Sequence, residues 1–212
     1  MKKSALLLLM AGLCLFGMNS CKEEEPSEFR IILKPSASVG KDVSIHSIGS
    51  PTVADNEYMW AAGWTSNAQA DLIRMLFEFN LTMVSKSAVV VSAQLSLYGK
   101  DSSPSQNSTM SGSNACWIER ITEDWSEEEV SWLNQPATTD ENRVEIPEST
   151  TADEDYELDV TALVQDMVNN PSEGYGFMVK LQTEQAYRMM AFATSDNADE
   201  NLRPRLIVQF IQ

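Results

Sequence analysis

Apolar residues in this chain recur at every second position over short runs, and clusters of Gly, Pro, Ser, Asn and Asp separate those runs. A period of two puts alternate side chains on opposite faces of an extended strand, so one face can be buried while the other stays in water. Ala93, Leu95 and Leu97 share one face, with Gln94, Ser96 and Tyr98 on the other. Phe177, Val179 and Leu181 repeat the pattern, as do Leu206, Val208 and Phe210; Ile207 and Ile211 suggest that this last run is covered on both sides. The segments that read as strands are 30–33, 43–48, 58–62, 72–79, 90–98, 116–121, 176–181, 188–194 and 206–211. Short strands punctuated in this way predict an all-β fold, an antiparallel β-sandwich. One segment departs from the rhythm. Val160, Leu163, Val164, Met167 and Val168 are apolar at helical spacing, which predicts one short helix capped by Asp159 and stopped at 169–171. Segments 102–114 and 138–154 read as loops, the second acidic.

The N-terminus predicts export. Lys2 and Lys3 precede an apolar stretch from 5 to 16, and Gly17, Asn19 and Ser20 lead to Cys21. Charged residues follow at once, so the stretch is too short for a comfortable membrane span. Residues 1–20 read as a cleaved signal peptide whose end resembles a bacterial lipobox, with Cys21 the lipidated first residue of the mature chain. Residues 21–28 read as an acidic tether and 29–212 as one domain. The run from Cys21 to Glu25 also looks like the surface-export signal of some Gram-negative lipoproteins. The expected location is therefore the outer membrane, lipid-anchored and facing the exterior.

Of the three cysteines, this scheme leaves only Cys116, which reads as a buried apolar residue without a disulfide partner. The single histidine, His46, lies far from it in sequence, so a catalytic Cys–His pair is not expected. The full chain carries a formal net charge of −16, and loss of the leader removes two further positive charges. A nucleic-acid partner is excluded on that balance, because phosphate binding needs a basic stripe.

Several motifs then occur in a fixed order: RMLFEFNL at 74–81, SAQLSLY at 92–98, TEDWSEEEVSWLNQP at 122–136, Asp159-Val160-Thr161, GYGF at 174–177, FATS at 192–195 and RPRL at 203–206. Together they resemble the DNRLRE family, over nearly the whole mature chain; Asn80 stands where the family's strand-ending turn carries Asp. The resemblance implies a jelly-roll-like β-sandwich, of a kind found beside polysaccharide-active enzymes or on cell surfaces. It implies a non-catalytic module that binds polysaccharide or another glycan.

Sugar recognition needs flat aromatic faces and polar groups on a fixed scaffold. By alternation, Met59 and Ala61 point inward while Tyr58, Trp60 and Ala62 point outward, and Trp64 follows Gly63; Tyr58, Trp60 and Trp64 are candidates for an aromatic platform. Trp125 and Trp132 read as core or loop braces, and Trp117 could face either way. Arg74, Arg188, Arg203 and Arg205 are cations at strand positions; Arg74 and Arg188 beside Lys180 would suit an anionic polysaccharide. Asp153, Glu154 and Asp155 could hold a structural calcium ion but lack the spacing of a dedicated loop. No zinc motif, nucleophile elbow or phosphate loop is present, so no cofactor and no catalytic residue are expected. Two alternatives remain: an adhesive or structural protein in a surface protein complex, and a polysaccharide-active enzyme.

Overall fold

A computed structural model describes residues 27–49, 56–100 and 104–212. The expected leader, the Cys21 acylation site and most of the acidic tether lie outside the described residues.

The described chain runs β1 (Glu28–Leu33), β2 (Asp42–His46), β3 (Tyr58–Ser66), β4 (Gln69–Phe77), β5 (Val89–Leu97), β6 (Ser108–Thr109), β7 (Cys116–Ile121), β8 (Thr138–Ile146), β9 (Tyr156–Asp159), α1 (Thr161–Asn169), β10 (Phe177–Leu181), β11 (Arg188–Ala193) and β12 (Arg205–Ile211). A four-stranded sheet has the order β1-β12-β5-β9. A larger sheet has the order β6-β11-β3-β4-β10-β7-β8, with β2 also paired to β4. These pairings are antiparallel. The fold is thus an all-β sandwich with one short helix.

The inward residues of both sheets meet in one core. Leu95, Leu97, Leu206 and Val208 come from the smaller sheet, and Met75, Ile118, Val179, Met190 and Phe192 from the larger; each is buried. Burying one such side chain stabilises the fold by about 1.5–3 kcal/mol relative to leaving it in water. The helix closes one side of this core with Leu163, Val164, Met167 and Val168. Asp159 ends β9 and accepts hydrogen bonds from the Thr161 backbone N–H and hydroxyl, which hold its carboxyl below the usual range. The N-cap is Val160 rather than the expected Asp159, which lies one residue earlier and holds Thr161, the first helical residue, from the strand end.

Two strands lie where the sequence reads as loop, and a third lies in a stretch to which it assigns no element. The acidic segment 138–154 contains β8, at the edge of the larger sheet, where Ile146 is buried and Val144 half-buried while Asp140, Glu141, Arg143 and Glu145 are exposed. Charge on an edge strand discourages pairing with other chains, and here it also hides the strand from a hydrophobicity reading. β9 buries Tyr156 and Leu158 just after the acidic run, and two-residue β6 pairs with β11 inside the expected 102–114 loop.

The functional geometry depends on a fork. β3 pairs with the first half of β4, from Ser66↔Gln69 to Ala62↔Ile73. From Ile73 onward, β2 occupies β4 instead, from His46↔Ile73 to Asp42↔Phe77. The β3–β4 connection is the two-residue turn Asn67-Ala68, both at positive φ, 49° and 62°. Two left-handed residues match the twist of a tight hairpin, a geometry in which Asn is favoured and Ala is not.

Candidate functional site

The fork leaves a groove of about 650 Å³ between the β3–β4 hairpin, the end of β2 and the 104–108 segment. Trp60 and Trp64, two alternations apart on β3, both line it and are half-buried. Ala62 lies between them but is fully buried, packed with Ile73 and Met189 against the two indoles; its expected exposure is corrected by that covering cluster. The Trp60 indole N–H donates to the Ser105 carbonyl at 3.0 Å and its backbone N–H to the Ser44 hydroxyl at 2.8 Å. Trp64 meets Tyr187 edge to face at 5.5 Å. Both rings are therefore held in place before any ligand arrives.

The polar lining is not on that strand. His46 Nδ1 donates to Asp71 Oδ2 at 2.8 Å, and the Asp71 side chain is only 5% exposed. The Ser47 hydroxyl and the Ile48 N–H donate to Asp71 Oδ1 at 3.3 and 3.4 Å. With Nδ1–H committed to a carboxylate, the neutral ring keeps Nε2 as an acceptor. Asn107, also at the groove, accepts from the Ala191 N–H through Oδ1, while its Nδ2 has no partner among the described residues. An imidazole acceptor beside two fixed aromatic planes can engage hydroxyls and C–H faces together.

The other expected site residues are placed elsewhere. Tyr58 does not line this groove; Lys100 Nζ lies over its ring, 3.9 Å from the centroid. Arg74 donates to both carboxylate oxygens of Glu184 at 2.8 and 3.0 Å and to Gln135, and stacks on Trp132 at 4.5 Å. Arg188 is two strands away on β11, where it donates to the carbonyls of Ser111 and Ser113 and to Gln185. Lys180 is 2.7 Å from Glu119. The expected cluster of free cations therefore does not form, because each already has partners. Arg203 and Arg205 likewise bond the Asn197 carbonyl and the Ser96 hydroxyl.

The remaining tryptophans are braces. Trp125 is 8% exposed and donates to the Tyr175 carbonyl at 2.9 Å, with Lys41 over its ring at 4.3 Å. Trp117 carries Arg143 at 4.1 Å. Cys116 is buried in the core, where burial pushes its thiol up, away from reactivity. In the acidic run, Asp155 accepts from the Gly99 N–H and Glu154 from Thr150 and Thr151. Among the described residues, no group of three His, Cys, Asp or Glu side chains comes together to hold a metal.

His46, Asp71 and Asn107 were invisible as site residues in the sequence. His46 and Asp71 are brought together by the pairing of β2 and β3 with β4, at His46↔Ile73 and Trp64↔Asp71, and no local motif carries that register.

No curated protein matches the chain. Residues 55–210, which contain the hairpin, both groove tryptophans and most of the sandwich, match carbohydrate-binding module family 96. The match spans well over half of the sequence, and the chain belongs to that family.

Proposed function

We propose that the groove beside Trp60 and Trp64 is the glycan-binding site of a non-catalytic, lipid-anchored surface module that helps its cell capture polysaccharide. The observation that carries this reading is the pair of immobilised indoles facing one groove with an imidazole, an amide and a buried carboxylate in its walls. Membership of a carbohydrate-binding family favours the same ligand class. The leader-like residues 1–20 ahead of Cys21 and the DNRLRE-like order of motifs support the surface placement and the accessory role.

Binding on a glycan array that is saturable and lost in Trp60→Ala and Trp64→Ala, with the melting temperature kept within a few degrees, is the expected result. Binding untouched by either substitution removes the groove from the reading. Silence on every glycan with recovery of one protein partner would favour adhesion instead. Release of new reducing ends, lost in His46→Ala, would make the module an enzyme acting through the His46–Asp71 pair.

A further inference from the structure

We propose that the groove measures chain length: its two indoles grip sugars two or three residues apart in one extended glycan chain, so that its ligand is a run of three or four sugars rather than a single sugar or a disaccharide. The inference rests on the groove being the glycan site. Trp60 and Trp64 stand on one face of an uninterrupted strand, with Ala62 between them. Their pairings run without a bulge, from Ala191↔Trp60 on β11 to Trp64↔Asp71 on β4. Four residues of extended strand put their attachment points about 13 Å apart. Among the described residues the two rings make no contact with each other; each has its own partner, the Ser105 carbonyl for Trp60 and the Tyr187 ring for Trp64. Ala62, Ile73 and Met189, all buried, pack against both indoles and support them.

Each sugar of an extended chain advances about 5 Å, so a single ring stacked on one indole cannot touch the other, whereas the ring two or three residues on lies over it. In a chain with a twofold twist, sugars n and n+2 also turn the same face, as two platforms on one side of a strand require. Once the first ring is stacked, the second contact forms within the same complex at high effective concentration, and a chain that spans both indoles binds more tightly than either contact alone allows. Both rings are already held, so spanning them demands little further ordering of the protein. The polar walls are divided in the same way. Asp71, with His46 bonded to it at 2.8 Å, pairs with Trp64, and the 104–108 segment bonds Trp60. Each indole thus has its own polar edge, which is the composition of two subsites along one groove.

The test is calorimetric titration of the purified protein with oligomers from cellulose, mannan, xylan and mannuronan, from one to six sugars long. In at least one series the affinity should rise at least about tenfold between the disaccharide and the tetrasaccharide, and change by less than about threefold from there to the hexasaccharide. In Trp64→Ala that rise should vanish, the tetrasaccharide falling to within about threefold of the disaccharide, and Trp60→Ala should do the same. Trp64→Phe, which keeps a ring in the cluster, separates loss of a subsite from loss of the fold: it should melt near the parent protein and keep the rise at lower affinity. A single sugar or disaccharide that binds as tightly as the hexasaccharide, and loses that binding in either alanine variant, overturns the length reading while leaving the groove as the site. A rise that persists in both alanine variants, with affinity lowered throughout, has the same meaning, since something other than the pair then grips the chain. Binding that survives both substitutions unchanged overturns the groove and the length reading together, as does failure of every oligomer to bind.

Discussion

The five tryptophans of this chain fall into two regions that the same residue type serves in opposite ways. On one side of the larger sheet, Trp117, Trp125 and Trp132 each lie under a cation, Arg143, Lys41 and Arg74 respectively. At the fork, Trp60 and Trp64 line an open groove, and among the described residues no cation covers them. A cation over an indole satisfies the ring face within the protein; a bare face on a concave surface is available to a ligand. The difference teaches that aromatic count says little about binding until each ring's partner is known.

Substitutions should separate the two regions by what they damage. Trp125→Ala removes a buried brace and its hydrogen bond to Tyr175, so urea unfolding should show a loss of about 3–5 kcal/mol. A loss below about 1 kcal/mol would mean that Trp125 is no brace.

Beside that brace, burial raises Asp42 from 3.8 to about 6, against the lowering effect of the Ser195 N–H bond to Oδ2, and leaves Oδ1 without a partner. A raised carboxyl stabilises the fold fully below its unfolded value of 3.8, and that stabilisation is lost as pH rises through 6. Asp42→Asn does not titrate, so its stability relative to the parent should improve by up to about 3 kcal/mol between pH 4 and pH 7. Parallel denaturation series at those two pH values check this; a flat difference would show that Asp42 is not held in its neutral form.

Trp60→Ala should have the opposite profile, weakening glycan binding by about 2 kcal/mol, roughly thirtyfold, while costing less stability than Trp125→Ala. Titration calorimetry with a scanning-calorimetry control reads both. In the adjoining turn, Ala68→Gly relieves a left-handed alanine at φ 62° and should raise stability by about 1 kcal/mol with no change in affinity. Smallest of all, Arg143→Ala should cost under about 1 kcal/mol, since its side chain is 38% exposed and its contact with Trp117 is correspondingly screened. An effect as large as that of Trp125→Ala would merge the supposed braces into one cooperative unit.

How far the sequence was legible varied with where the burial comes from. β5, β10 and β12 could be read directly, because each buries one full face and the alternation survives in the residues. β8 could not, because only Val144 and Ile146 turn toward the core while Asp140, Glu141, Arg143 and Glu145 carry the charge of an exposed edge. Trp60 was legible from alternation, whereas Trp64 was grouped with it only as the next tryptophan, past an expected strand end at Ala62; β3 runs on to Ser66 and puts both on one face. Tyr58, placed with them by the same alternation, sits beneath Lys100 outside the groove, and Arg74 and Arg188 are held by Glu184 and by loop carbonyls.

The sequence by itself determined the sandwich class, the helix and the outward side of Trp60, since these follow from side-chain periodicity, which is a property of neighbours along the chain. Only the tertiary structure decided that His46 and Asp71 meet, that Asn107 comes to the same groove and that the arginines are already paired. Those facts depend on strand register and on which side chain reaches a partner first, and both are fixed by packing between residues far apart in the chain.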